Sequence, residues 1–198
     1  MVFDYPDPNT HCRHGPRGYV RHASYRPWLR DEFVFRCVYC LKRERWGQVT
    51  SEFDIDHFQP QSARPDLALD YANLVYACRR CNSVKSDVVV GDPFLVMRRS
   101  RVVTGPDGYV RGLDAEATRL VLILDLNSPR LVEWRLTWLR VMFLAAERDP
   151  LLFQQLAGFP SDLPELRRLR PPLGNDRPEG IAESWAEQAV HGTLPKYY

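Results

Sequence analysis

The spacing of apolar positions changes several times along the chain. Residues 25–37, "YRPWLRDEFVFRC", put Trp28, Leu29, Phe33 and Arg36 at three- to four-residue steps, with Pro27 suited to a first turn. That spacing predicts a short helix. "EFDIDHFQ" (52–59) reads as a strand stopped by Pro60, and "NLVYA" (73–77) as a second strand after a loop. "CRRCNSVKSD" (78–87) holds no breaker and is expected to be helical. "RVVTGPDGYVRG" (101–112) has the form of a hairpin around Gly105, Pro106, Asp107 and Gly108. From there the pattern is helical: 114–126 behind Asp114 as a cap, 128–149 with Ser128 as N-cap and Pro129 first in the helix, and 150–157. In the long helix, Leu131, Trp134, Trp138, Val141 and Ala145 form the expected packing stripe. "RLRPPLGNDRPEG" (168–180) reads as a linker and "IAESWAEQAV" (181–190) as a last helix. The expectation is an α+β chain with an irregular segment 1–24, a unit over 25–100, and a hairpin plus mainly α-helical extension over 101–198.

Composition narrows the class. No apolar run reaches the 18 residues of a membrane helix, and the first residues lack a charged-then-apolar leader, so a cytoplasmic protein is expected, with no membrane partner. The net charge of +2 says little, but residues 1–101 carry +4 and residues 102–198 carry −2. A nucleic acid would therefore bind the first half. Only Lys42, Lys85 and Lys196 among the basic residues are lysine.

The five cysteines are not random. Cys37-Val-Tyr-Cys40 and Cys78-Arg-Arg-Cys81 are two CxxC pairs, and Cys12 is left over in "HCRH" (11–14). In a reducing compartment disulfides are disfavoured, and four thiolates in two such knuckles suit a tetrahedral structural zinc ion. The thioredoxin-like setting that a redox pair needs is absent from the pattern.

Between the knuckles lies "FDIDHFQP" (53–60), in which two carboxylates and a histidine interrupt an apolar strand. Asn73 opens the second strand and Asn82 follows the last cysteine. Asp56 and Asn82 offer one charged and one neutral oxygen ligand, a set suited to Mg²⁺ or Mn²⁺. An imidazole such as that of His57 can take a proton from water at neutral pH. On a helix over 78–87, Arg79, Asn82, Lys85 and Ser86 share one face, and the cysteines lie about 100° away from it.

The ordered set CxxC, Asp-His, Asn, CxxC-Asn resembles the HNH endonucleases, whose core is a ββα-metal fold, and the resemblance covers roughly residues 25–95. "FDIDHFQP", "NLVYACRRCN" and "SVKSD" carry it, with Asn82 where the third letter of the name is often histidine. The resemblance implies hydrolysis of DNA phosphodiester bonds, with Asp56 and Asn82 holding Mg²⁺ or Mn²⁺, His57 as general base and Asn73 bracing the loop that orients it. Cys37, Cys40, Cys78 and Cys81 would hold zinc, and Arg79, Arg80 and Lys85 would face the nucleic acid. Asp54 is read as lying at the surface or behind the site. A bacterial or phage setting is implied, as a restriction enzyme or as the effector of an anti-phage system released by a partner ATPase or another subunit, with homo-oligomers compatible. The alternative is a non-catalytic zinc-knuckle module that binds nucleic acid or protein.

Overall fold

A computed structural model describes residues 2–47 and 52–198. The expected hairpin forms from β1 (Phe53–His57) and β2 (Leu74–Cys78), paired antiparallel with Asp56 opposite Val75 and His57 opposite Leu74. Without a loop, β2 passes at Cys78 into α2 (Arg79–Lys85). The α+β class read from the sequence is the class observed.

The helix before the first knuckle, α1 (Arg26–Glu32), is shorter than its periodicity predicts. Val34 and Phe35 adopt left-handed backbone at φ 51° and 54°, which a helix cannot accommodate. The turn they make delivers Cys37 into its knuckle. There the Cys37 amide donates to the carbonyl of Lys42 at 2.9 Å and the Leu41 amide to that of Cys37 at 3.0 Å. Leu41 is itself at φ 60°, a conformation costing about 1–2 kcal/mol, and its buried side chain holds it there.

After the short helix α3 (Pro93–Val96), a second hairpin pairs β3 (Val102–Thr104) with β4 (Val110–Gly112). It leads to α4 (Ala115–Ile123), capped by Asp114, which accepts from the Ala117 amide at 2.9 Å. Helix α5 (Pro129–Arg148) follows, then α6 (Pro150–Ala157). Two details of α5 differ from expectation. The Ser128 hydroxyl makes no cap bond and accepts from Arg80 at 3.3 Å. The most buried face is Val132, Arg135, Met142 and Ala145, while Val141 is exposed. Burial of Arg135 is supported by the carbonyls of Gly108 and Leu126, to which its guanidinium donates. Trp134 and Trp138 flank that face half-buried, with Trp138 stacked on Trp46 at 4.4 Å.

The segment read as a linker is paired with the N-terminal segment: Pro16 bridges Asn175, and the Asn175 side chain accepts from the Gly15 amide at 2.9 Å. The last helix is only α7 (Trp185–Val190), because Ser184 caps it. One hydrophobic cluster runs from Phe3 through the knuckles and both hairpins to Leu166. No helix among the described residues is long and apolar enough to cross a membrane.

Candidate functional site

The four cysteines of the two CxxC pairs converge. Their sulfurs lie within 4.8 Å of one another, all buried, and Cys40 Sγ is 3.7 Å from Cys78 Sγ. Four sulfurs about 2.3 Å from a tetrahedral zinc ion stand about 3.8 Å apart, and a disulfide needs about 2.05 Å. The cluster therefore has the dimensions of a metal site. Burial pushes the Cys37 thiol well above its ordinary pKa, and Cys40 and Cys78 add to the shift. Four ionised sulfurs need a cation among them. The donor set and spacing fit zinc.

"HCRH" does not gather into a comparable group among the described residues. His11 reaches Glu183, His14 reaches Asp31, and the Cys12 thiol donates to Glu32 at 3.3 Å. Burial, reinforced by Glu32, pushes that thiol up to about 12, so it stays protonated.

The knuckle reaches the hairpin through Tyr39. Its hydroxyl donates to Asp56 Oδ2 at 2.6 Å, and its carbonyl accepts from the Tyr5 hydroxyl at 2.7 Å. Burial holds the Tyr39 phenol well above its usual range, and Asp56 raises it further, so it remains a donor. The other oxygen, Oδ1, meets Lys85 Nζ at 3.0 Å. Asp56 is 3% exposed and Lys85 is 0% exposed. Lys85, expected among the cations facing a nucleic acid, is thus an interior residue. The reason is the contact of α2 with β1: on one side Lys85 meets Asp56, and one turn and a half earlier Arg79 lies 3.7 Å from Asp54. These two pairs bracket Asn82, which shares their helix face. Asn82 is half-buried, and its amide makes no hydrogen bond among the described residues.

His57 leaves the strand on the other side. Its Nε2 is 2.9 Å from the carbonyl of Ala68. A nitrogen that donates there carries the proton, leaving the lone pair on Nδ1. Gln61 Nε2 lies 3.0 Å from the same ring nitrogen, so donation to it competes with the Ala68 bond. Asn73 is buried beneath this loop: its Oδ1 accepts from the Gln59 amide at 2.9 Å, and its Nδ2 donates to the carbonyls of Gln59 at 2.9 Å and Leu67 at 3.3 Å. Between them these bonds fix the loop from 59 to 68 on which the imidazole rests. No hydrogen bond among the described residues joins the His57 ring to Asp56 or Asn82.

Two features had no signal in the sequence. The His22 ring stands edge-on to His57, 5.3 Å between centroids. Partial burial, then the neighbouring His57 and Arg26, hold its pKa below the usual histidine value. Arg80 donates to the carbonyls of Leu124 at 2.7 Å and Asp125 at 3.0 Å, which fastens α2 to the end of α4. Arg79 stays exposed and lines two open grooves of about 540 and 430 Å³. Lys42 and Arg80 border the first, Arg26 and Arg30 the second.

The HNH endonuclease family matches over residues 37–87. Residues 37–87 are an HNH endonuclease domain. It takes in both knuckles, β1, β2 and α2. Over 50 residues the chain is also 34% identical to Septu protein PtuB of Bacillus thuringiensis, a stretch covering 25% of this chain and 19% of that protein.

Proposed function

We infer that the chain is a metal-dependent endonuclease that hydrolyses DNA phosphodiester bonds at the HNH domain. Residues 25–100 form the nuclease unit and 101–198 its helical support. The observation that carries the reading is the seat of His57: Nε2 tied to Ala68, on a loop held by Asn73. That seat keeps the Nδ1 lone pair for a water proton. Asp56 retains unused lone pairs and Asn82 an amide with no partner among the described residues, so the two fit a hard divalent ion, Mg²⁺ or Mn²⁺. When bound, such an ion supplies charge neutralisation at the phosphate and the leaving oxygen. Arg79 and Lys42, with Arg26 in the adjoining groove, offer cations to the flanking phosphates. The four cysteines hold a structural zinc. Likeness to Septu protein PtuB supports a place in bacterial anti-phage defence, in the cytoplasm and alongside a partner subunit.

Plasmid DNA incubated with the purified chain and Mg²⁺ or Mn²⁺ should be nicked or cut, and His57→Ala should lower the rate by about 10²–10⁴-fold. Undiminished cleavage by His57→Ala refutes the assignment of the base. Cleavage only when the neighbouring gene's product is added supports the partner. One observation favours the binding-module alternative: Asp56 is already neutralised by Lys85. That alternative expects DNA retention in a gel with no cleavage under any divalent ion.

A further inference from the structure

Lys85 has no role in the chemistry above, yet all three of its donors are engaged. An ammonium group has three N–H donors. Those of Lys85 have three acceptors: Asp56 Oδ1 at 3.0 Å, the His57 carbonyl at 3.0 Å and the Ser86 carbonyl at 3.2 Å. The third exists because Ser86 takes left-handed backbone, φ 48°, and folds the chain back over the end of α2. With no exposed surface and every donor engaged, the ammonium is fixed in place. Breaking such a buried pair is costly, so an arriving metal ion does not displace it.

The charge at the site follows. Asp56 contributes −1, Lys85 +1 and Asn82 nothing, and the nearest carboxylate on the same face, Asp54, is paired with Arg79. A divalent ion at Asp56 therefore meets no net negative charge from the protein and stands beside a fixed positive one. The charge that is missing is the charge that a phosphodiester brings.

We propose that Lys85 is a built-in counter-ion that offsets the charge of Asp56 in the free protein, so that the divalent ion binds tightly only together with a nucleic-acid phosphate. The proposal rests on the assignment of Asp56 and Asn82 to the ion. It makes metal and DNA reciprocal: each raises the affinity of the other by the same factor. It also explains why a lysine is suited to the position: the compact ammonium fits among three oxygens where a guanidinium fork does not.

The test is a Mn²⁺ titration followed by the electron paramagnetic resonance of the free ion. It uses the full chain carrying His57→Ala to prevent cleavage, with and without a short duplex, and with binding to the duplex alone subtracted. The duplex should tighten Mn²⁺ binding by about tenfold or more. Lys85→Met keeps an unbranched apolar stem and removes the charge. It should tighten Mn²⁺ binding without DNA by about the same factor and shrink the gain from DNA correspondingly. A folded Lys85→Met protein that binds Mn²⁺ no more tightly overturns the proposal. If that variant does not fold, the Lys85 protein still decides: DNA affinity unmoved by Mn²⁺ overturns the coupling, and an equal tenfold gain supports it. Asp56→Asn separates the two levels. Mn²⁺ binding that ignores this change refutes the ion's placement at Asp56, and this proposal with it. Binding that is lost with Asp56→Asn but unmoved by Lys85→Met leaves the placement standing and removes only the role of Lys85.

Discussion

Asp31 and Asp56 are each buried beside a cation, and the molecule uses them differently. Where the chain ends meet α1, Asp31 is 0% exposed and accepts from His14 at 2.8 Å, from Arg13 at 3.1 Å and from the Trp185 amide at 2.9 Å. Its partners come from both ends of the chain. At the end of β1, Asp56 accepts from Tyr39 and Lys85 and shares its face with Asn82, whose amide has no partner among the described residues. A carboxylate held by three partners drawn from distant parts of the chain is a clasp. A carboxylate with spare lone pairs, next to an amide without a partner, has room for a ligand. Burial and pairing alone do not separate the two cases, but counting acceptors and donors does.

The broadest way to break the comparison is to remove the cysteine-bound metal, which should disable both regions at once. Structural zinc contributes about 10–16 kcal/mol in small zinc-binding peptides, comparable with the whole stability of a domain, about 5–15 kcal/mol. Chelation should abolish the cooperative melt followed by circular dichroism, and metal analysis should find about one zinc per chain beforehand. A melt unaffected by chelation would refute the zinc assignment.

Next in size is the clasp. Asp31→Asn leaves Arg13 without its carboxylate and His14 without its anionic acceptor, and should lower unfolding free energy in urea by about 3–5 kcal/mol. Cleavage per folded molecule should be unchanged, whereas Asp56→Asn should abolish divalent-dependent cleavage. Equal loss of activity in the two variants would erase the distinction.

Smaller again is Tyr39→Phe, which removes one hydrogen bond to a charged acceptor and should cost about 1.5–3 kcal/mol in the same urea experiment. A loss of activity beyond that of stability would place Tyr39 in the positioning of Asp56.

The smallest effect concerns a carboxylate that is not buried. Arg101, then the cap bond from Ala117, hold Asp114 down to about 2. A lowered folded-state pKa contributes stability that is present above the ordinary value of 3.8 and is lost as pH falls through about 2. The Asp114 carboxyl resonance should titrate near that lower value, and Asp114→Asn should flatten that part of the acid unfolding curve. A midpoint near 3.8 would show that the Arg101 pair is not held in solution.

Much of the HNH domain's fold was legible because its information is local. The knuckles announce themselves by spacing, the hairpin by two short apolar runs, and α2 by the lack of a breaker. Lys85 was misread because a shared helix face does not say whether the face looks out or in; the partner that turns it inward, Asp56, is 29 positions away in sequence and was read only as a metal ligand. The stripe of α5 was displaced because Arg135, which periodicity counts as polar, is buried on two backbone carbonyls. The clasp was invisible, since Asp31 and Trp185 are 154 residues apart and neither has a local motif.

That last separation has a consequence for how the chain acquires its shape. Contacts among residues 53–85 are close in sequence, and local contacts form fast. The bridge from Pro16 to Asn175 and the bond from Asp31 to Trp185 close long loops, whose entropy must be met before the contact rewards it. During synthesis, with the N-terminal part emerging first, the hairpin and helix of the HNH domain are made well before Trp185 leaves the ribosome. The order of assembly is thus HNH domain first, closure last, and a nascent chain stalled before residue 175 would carry the β1–β2 hairpin with its N-terminal strap still unfastened.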